Sequence, residues 1–495
     1  MAVSLPGAAM RSDTARAPEW LTTGVPQLDR VLGGGIRRRS TVMVIGPPGI
    51  GKTTLAQQIA FQLATQGAAA LYLTGFGETH DKVVTFGQGL NFFAPDLVGQ
   101  RLHFSNLVDL LQGGREQTED AVVQTARGVG ASLVVLDGFR GLRGFLTDER
   151  EVGQFVYSLG AKLALLGATT MILVEGHPDE TSRYTEATVC DVVLALRRVR
   201  QDSRHRRLLE VLKARGAAPL EGAHPFTITA DGLTVFPRFE SLVGAAEPAW
   251  NPGRAGFGVA GLDRMLDGGL TVGTVTLLAG TSGAGKTLLG LHFIAAGALA
   301  GDPALFLGFL ESPAQLREKA RVFGMELDAA EAGGRVRFLV LPSHDLEADR
   351  MALLMMEDVE RRGVRRLVID SVAELERGLG FQERTADFLA ALVTYLRTRE
   401  VTTCLTLDIS PNGGLETSLA AASLSVIAEN QLMLRQLEFR GHLHRVGAVT
   451  KMRFSDHERV IHQVAIVPGQ GIQVLGPAPF AEADQPADPG PAETA

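Results

Sequence analysis

Two nine-residue stretches, "GPPGIGKTT" at 46–54 and "GTSGAGKTL" at 280–288, carry the residues best suited to chemistry. Each fits the pattern G-x-x-x-x-G-K-[ST], and each follows an apolar run and precedes a helical one, the context that gives this pattern its meaning. Glycines at 46, 49 and 51, and again at 280, 283 and 285, let successive backbone amides turn inward on a chain of phosphates, and the helix start adds its dipole. The expected ATP-binding set is therefore Gly46, Gly49, Gly51, Lys52, Thr53 and Thr54, with Gly280, Gly283, Gly285, Lys286, Thr287 and Leu288. Lys52 and Lys286 would reach the terminal phosphates, and Thr53 and Thr287 would hold Mg2+.

Magnesium needs a carboxylate nearby. "LVVLD" ends at Asp137 and "RLVID" at Asp370, 233 residues apart, each at the end of an apolar strand pattern; a Mg2+ role is expected, against the simpler reading of a turn cap. Two further carboxylates share that spacing, Glu78 in "GFGETHDKV" and Glu311 in "GFLESPAQL". Two readings stand for them. At the end of a strand next to the phosphate loop, a carboxylate orients water or a hydroxyl toward a γ-phosphate. Beside a helix start it has a supporting or capping place, and Ser312, Pro313 and Gln315 supply a capping box.

The elements that must position these groups are written twice. Gly24–Leu55 aligns with Gly258–Leu289 without a gap, and 14 of the 32 pairs are identical. That period far exceeds a solenoid repeat, so each copy is expected to be a domain with its own core. In the first copy "TVMVIG", "AALYLTG", "SLVVLDG" and "TTMILVEG" read as strands; in the second "TVTLLAG", "PALFLGF", "RRLVIDS" and "TTCLTLD" do. Continuous apolar strands alternating with helical patterns predict an α/β fold: two mostly parallel sheets flanked by helices, with ligands at the carboxyl ends of the strands. The expected organisation is a disordered tail at 1–20, domains at 21–243 and 257–475, a proline-rich linker at 244–256, and a disordered acidic tail at 476–495.

Hydrophobic residues make up 45% and charged residues 21%, which places the chain among globular proteins. Asp plus Glu outnumber Lys plus Arg by 55 to 48, so overall charge does not draw the chain to nucleic acid or to anionic lipid. "RHRR" at 204–207 reads as a solvated turn, and His442 and His444 have no evident third ligand, so no zinc is assigned. Cys190 and Cys404 lie in apolar stretches and are expected to be buried thiols in a reducing compartment. With no signal-like start and no run of about 18 apolar residues, the expected location is cytoplasmic, away from membranes.

The chain resembles the KaiC family, the double-domain RecA-like P-loop ATPases of the circadian clock and their non-clock relatives. The resemblance spans 21 to about 475 and rests on both phosphate loops, the duplicated "GV..LDR.L.GG", "FGET" and "FLES", "LEVLKARG" followed by "HPFTIT.DGLTVFP", and "VTKMRF". It implies a homohexameric double ring with ATP between subunits, a first ring that is a slow ATPase, a second that is an autokinase and phosphatase, and a KaiB-like or other signalling partner.

By the same resemblance, Lys213 and Arg215 in "KAR", and Lys451 and Arg453 in "KMR", reach the neighbouring subunit's nucleotide. Two apart on a strand, they share a face, as a cationic clamp requires; a solvated strand face is the plainer alternative. Such proteins carry two adjacent glutamates where this chain has Gly77-Glu78 and Leu310-Glu311, and the first is regarded as the principal base. Both first positions are empty here, so turnover is expected to be low. The adjacent phosphoacceptors of the family fall on Ser425 and Val426, which leaves Ser425 as a single acceptor or as a structural serine.

Two other readings remain at this level. One is a RecA- or RadA-like DNA-dependent ATPase, since the core is shared; the acidic balance and the lack of a basic, aromatic-rich loop count against it. The other is a nucleotide-locked scaffold with negligible turnover.

Overall fold

A computed structural model describes residues 19–75, 80–111, 114–144, 146, 148–201, 204–244, 247, 249–409 and 419–478. The chain divides into two compact units between Ser241 and Leu242. Among the described residues each unit is built on a nine-stranded sheet.

In the first unit the strands run, edge to edge, Gly232–Val235, Ala223–Thr229, Arg204–Ala214, Val192–Gln201, Thr41–Gly46, Thr169–Glu175, Ala131–Asp137, Ala69–Thr74 and Leu102–Asn106. The last six are parallel; the first three join by antiparallel pairing. The second unit repeats the order, from Val336–Val340 through Ala304–Gly308, Arg366–Asp370, Thr402–Asp408, Val275–Gly280 and Asn430–Phe439 to His442–Met452, His462–Val467 and Gly471–Pro477. This is the duplicated, mostly parallel, helix-flanked architecture that the apolar runs predict.

Alternation along each central strand divides the core between two faces. Val42 and Val44 pack with Leu55 and Ile59 of the helix Lys52–Thr65, while Met43 and Ile45 pack with Val152, Phe155 and Leu159 of the helix Glu149–Leu165. Both faces are dry, which is why these strands read as unbroken apolar runs rather than alternating ones. Cys190 and Cys404 are buried free thiols, and burial pushes the Cys190 thiol up to about 12.

Some edges differ from expectation. Arg254–Ala255, within the segment expected to be linker, pairs with Leu270–Thr271. The last strand runs on through Pro477, and Ala478 is buried, so the chain stays packed beyond 475. "RHRR" opens the strand Arg204–Ala214 instead of forming a turn, because it pairs with Arg198–Gln201. No described helix is long and apolar enough to cross a membrane.

Candidate active sites

Both phosphate loops leave the carboxyl end of a central strand, Thr41–Gly46 or Val275–Gly280, and enter the helices Lys52–Thr65 and Lys286–Ala300. Gly51 and Gly285 cap those helices at φ of 118° and 110°, a backbone that side chains rarely adopt; a Cβ on Gly51 would also stand 2.5 Å from the Ile228 Cδ1. The lysines fold back over their own loops. Lys52 Nζ donates to the carbonyls of Gly46 and Pro47 at 2.9 and 3.0 Å, and Lys286 Nζ to those of Gly280 and Thr281 at 3.0 and 2.9 Å. Burial lowers the Lys52 pKa, while the charges of Glu175 and Asp137 oppose the shift.

The hydroxyls and strand-end aspartates meet as the spacing suggests. Thr53 Oγ1 donates to Asp137 Oδ2 at 2.9 Å, and Thr287 Oγ1 to Asp370 Oδ2 at 2.7 Å. A second hydroxyl orients each carboxylate, from a different strand in each unit: Tyr72 donates to Asp137 at 2.7 Å, and Thr406 donates to the other oxygen of Asp370. A hydroxyl and a carboxylate side by side at the mouth of a phosphate loop are hard oxygen donors of the kind Mg2+ prefers. In the second unit they line a cleft of about 360 Å3 together with Gly283, Gly285, Lys286, Leu310, Glu311 and Asp408.

Glu78 and its neighbour Gly77 lie outside the described residues. Glu311 corrects one expectation. Its strand, Ala304–Gly308, is not next to the phosphate-loop strand; Arg366–Asp370 and Thr402–Asp408 lie between them. Glu311 still borders the cleft, but Lys319 engages its carboxylate, while Ser312 and Gln315 form the capping box of the helix Pro313–Val322. Leu310 beside it is 72% exposed although it lines the same cleft.

The Lys-x-Arg pairs lie elsewhere. Their strands end at Ala214 and Met452, so Arg215 and Arg453 fall just past them rather than on them, after register shifts that bulge each strand near its end. Lys213 Nζ donates to the carbonyls of Ala187 and Thr188, and Arg215 pairs with Asp191 at 3.4 Å. Lys451 Nζ donates to the carbonyls of Ser425 and Ala428 at 2.8 Å each, and Arg453 to that of Val426 at 2.6 Å. Each pair thus closes the carboxyl end of a helix, Thr185–Val189 or Leu419–Ile427, where cations are favoured. Burial lowers the pKa of both lysines, and the adjacent arginine lowers it further.

These helices end where the sheet begins. Asp191 and Glu429 bond the first amides of the phosphate-loop strands, those of Thr41 and Val275, at 3.0 and 2.9 Å. Arg215 is therefore level with Thr41, about 17 Å along the strand from Gly46 at about 3.3 Å per residue. The Lys-x-Arg pair and the phosphate loop of one unit sit at opposite ends of its sheet.

Sequence reasoning missed Glu175 and Asp408. They end the strands that flank the phosphate-loop strands, paired with Gly46 and Gly280, and Asp408 Oδ1 accepts from Lys286 Nζ at 2.7 Å. Their separation of 233, shared with the Asp137 and Asp370 pair, was the available signal. Arg198 and Gln436 were missed too; from the strands on the other flank they donate to the loop carbonyls of Gly49 and Gly283 at 3.1 and 3.2 Å.

Two phosphate loops on duplicated parallel sheets, each with a threonine and an aspartate in register, define a tandem P-loop NTPase. The model of the KaiC ATPase family matches residues 21–240 and 255–478. The chain belongs to that family. The circadian clock oscillator protein KaiC of Rippkaea orientalis (strain PCC 8801 / RF-1) is 28% identical over 479 residues, 92% of this chain and 88% of that protein. The circadian clock protein KaiC3 of Synechocystis sp. (strain ATCC 27184 / PCC 6803 / Kazusa) is 28% identical over 467 residues, 90% of each. The circadian clock oscillator protein KaiC of Acaryochloris marina (strain MBIC 11017) is 29% identical over 471 residues, 90% of this chain and 87% of that protein.

Proposed function

We propose that this KaiC-like ATPase works as a homohexameric double ring that binds ATP and Mg2+ at both phosphate loops, hydrolyses it slowly, and signals through nucleotide-dependent ring conformation. Lys52 and Lys286 take the terminal phosphates, with Thr53 and Asp137, and Thr287 and Asp370, on the two metals. Lys213 with Arg215, and Lys451 with Arg453, serve the nucleotide of the neighbouring subunit. The observation that carries this reading is the position of those pairs at the opposite end of the sheet from their own phosphate loop. A clamp so placed cannot fold onto its own nucleotide, whereas subunits arranged head to tail bring it to the next one.

ATP then acts as glue between subunits. Nucleotide at 100 times its Kd contributes about 2.7 kcal/mol per site to the assembled state. Multi-angle light scattering with and without ATP tests this. A rise to six times the chain mass with ATP is the expected result, and an unchanged mass would count against the ring.

Any autophosphorylation should fall on Ser425 and be weak. Ser425 sits in the last turn of the helix Leu419–Ile427, the turn that Lys451 and Arg453 hold, so the phosphoryl donor is again the neighbour's ATP. Val426 beside it has no hydroxyl, which removes a two-site cycle. Phosphoryl transfer rests mainly on positioning and charge, and Lys286, Thr287 and Asp370 supply both, yet Leu310 offers no carboxylate to take the serine proton. Incubation with labelled ATP and mass spectrometry should find sparse phosphate on Ser425 that vanishes in Ser425→Ala. Abundant labelling elsewhere would sink the assignment.

A further inference from the structure

Lys286 is saturated. Its ammonium has three protons, and they go to the carbonyls of Gly280 and Thr281 and to the carboxylate of Asp408. The lysine is 7% exposed whereas the Asp408 side chain is 55% exposed, so Asp408 is the partner that an incoming phosphate can displace. Asp408 also stands beside the metal carboxylate: two residues before it on the same strand face, Thr406 donates to Asp370. Asp370, bonded by Thr406, and Lys286, bonded by Asp408, are thus served by one strand, Thr402–Asp408, which lies between the phosphate-loop strand and the strand of Asp370.

We infer that Asp408, with Glu175 at the same place in the first unit, is the carboxylate that accepts the proton of the attacking water, the task that Leu310 and Gly77 leave unfilled. This rests on the ATPase reading above. Once a terminal phosphate oxygen takes the proton that Lys286 Nζ now gives to Asp408, the released carboxylate stays at the strand end beside that oxygen, free to accept from one water between them. The water oxygen bonds to the terminal phosphorus, and the bond from phosphorus to the bridging oxygen breaks. Its electron pair leaves on ADP, and the water proton passes to Asp408.

The two units do not start from the same state. In the first, Lys52 donates to two loop carbonyls, and Glu175 acts on it through charge. In the second, nucleotide must first take the lysine from Asp408. The base that hydrolyses ATP therefore also opposes its binding, and this double duty separates the proposal from a merely structural role.

The test is the full chain carrying Glu175→Gln and Asp408→Asn, assayed for ATP turnover and, separately, for affinity by titration with a fluorescent ATP analogue. Turnover should fall about 10²- to 10⁴-fold, while the analogue binds as tightly as to the parent or several-fold more tightly, because Lys286 has lost its competitor. Adding Leu310→Glu should restore turnover. Parental turnover in the double variant, or loss of affinity in step with turnover, overturns the inference and leaves the ATPase reading standing. A parent chain that neither binds nor hydrolyses ATP overturns both.

Discussion

Replacing Lys52 and Lys286 together by alanine should abolish ATP-dependent assembly and lower ATP turnover by about 10²- to 10³-fold, the usual consequence of losing one preorganised charge at a developing negative centre. The lysines sit where loop, strand end and helix converge, so no neighbouring side chain replaces them. Arg198 in the first unit and Gln436 in the second also reach the loops, but through carbonyls on the far flank. The variant removes two hydrogen bonds to each loop as well, at Gly46 and Pro47 and at Gly280 and Thr281. Circular dichroism should therefore accompany light scattering and a phosphate-release assay. A folded double variant that still gains mass with ATP and turns it over at the parental rate would falsify the assignment of both loops.

The second large effect runs in the opposite direction. Leu310→Glu should raise hydrolysis in the second unit by up to about 10²-fold, since Asp408 is held by Lys286 whereas a free, positioned general base is worth about 10² to 10⁴ in rate. Leu310 lines the cleft that holds Lys286, Thr287 and Asp370 and is 72% exposed, so a glutamate there fills open space without crowding a core. Glu311 is no substitute, because Lys319 engages its carboxylate. Gly77→Glu is expected to act likewise in the first unit by repeat register. Steady-state phosphate release from the two single variants measures the effect, and rates no faster than the parent's would show that these positions are not where the base belongs.

How much of this was legible beforehand follows from which constraints are local. The phosphate loops are set by the chain itself: glycines at fixed spacing, a lysine and a threonine, an apolar strand before and a helix after. The duplication made each such reading a pair, and Asp137 and Asp370 were found because a strand-end aspartate in the same register is visible as a pattern. The alternation of strands and helices was enough to predict the sheet class, since strands covered on both faces read as near-continuous apolar runs.

Strand order was not legible, and the misplacements trace to it. Glu311 follows the strand that comes next in the chain after the phosphate loop, yet two strands from later in the chain insert between them. Carboxylates that act on the phosphate-loop lysines come instead from strand ends 123 and 122 residues downstream, Glu175 and Asp408, which only parallel pairing brings alongside Gly46 and Gly280. Likewise the Lys-x-Arg spacing indicated a shared face, but not that the pairs close helix ends at the base of the sheet, because bulges near the strand ends redirect them. The sequence by itself determined the phosphate loops, the threonines and strand-end aspartates beside them, and the twofold repeat, for these depend on bonds along the chain and on side-chain periodicity. Only the tertiary structure decided which carboxylate meets the lysine and which end of the sheet carries the Lys-x-Arg pair, because both depend on hydrogen bonds between strands far apart in sequence.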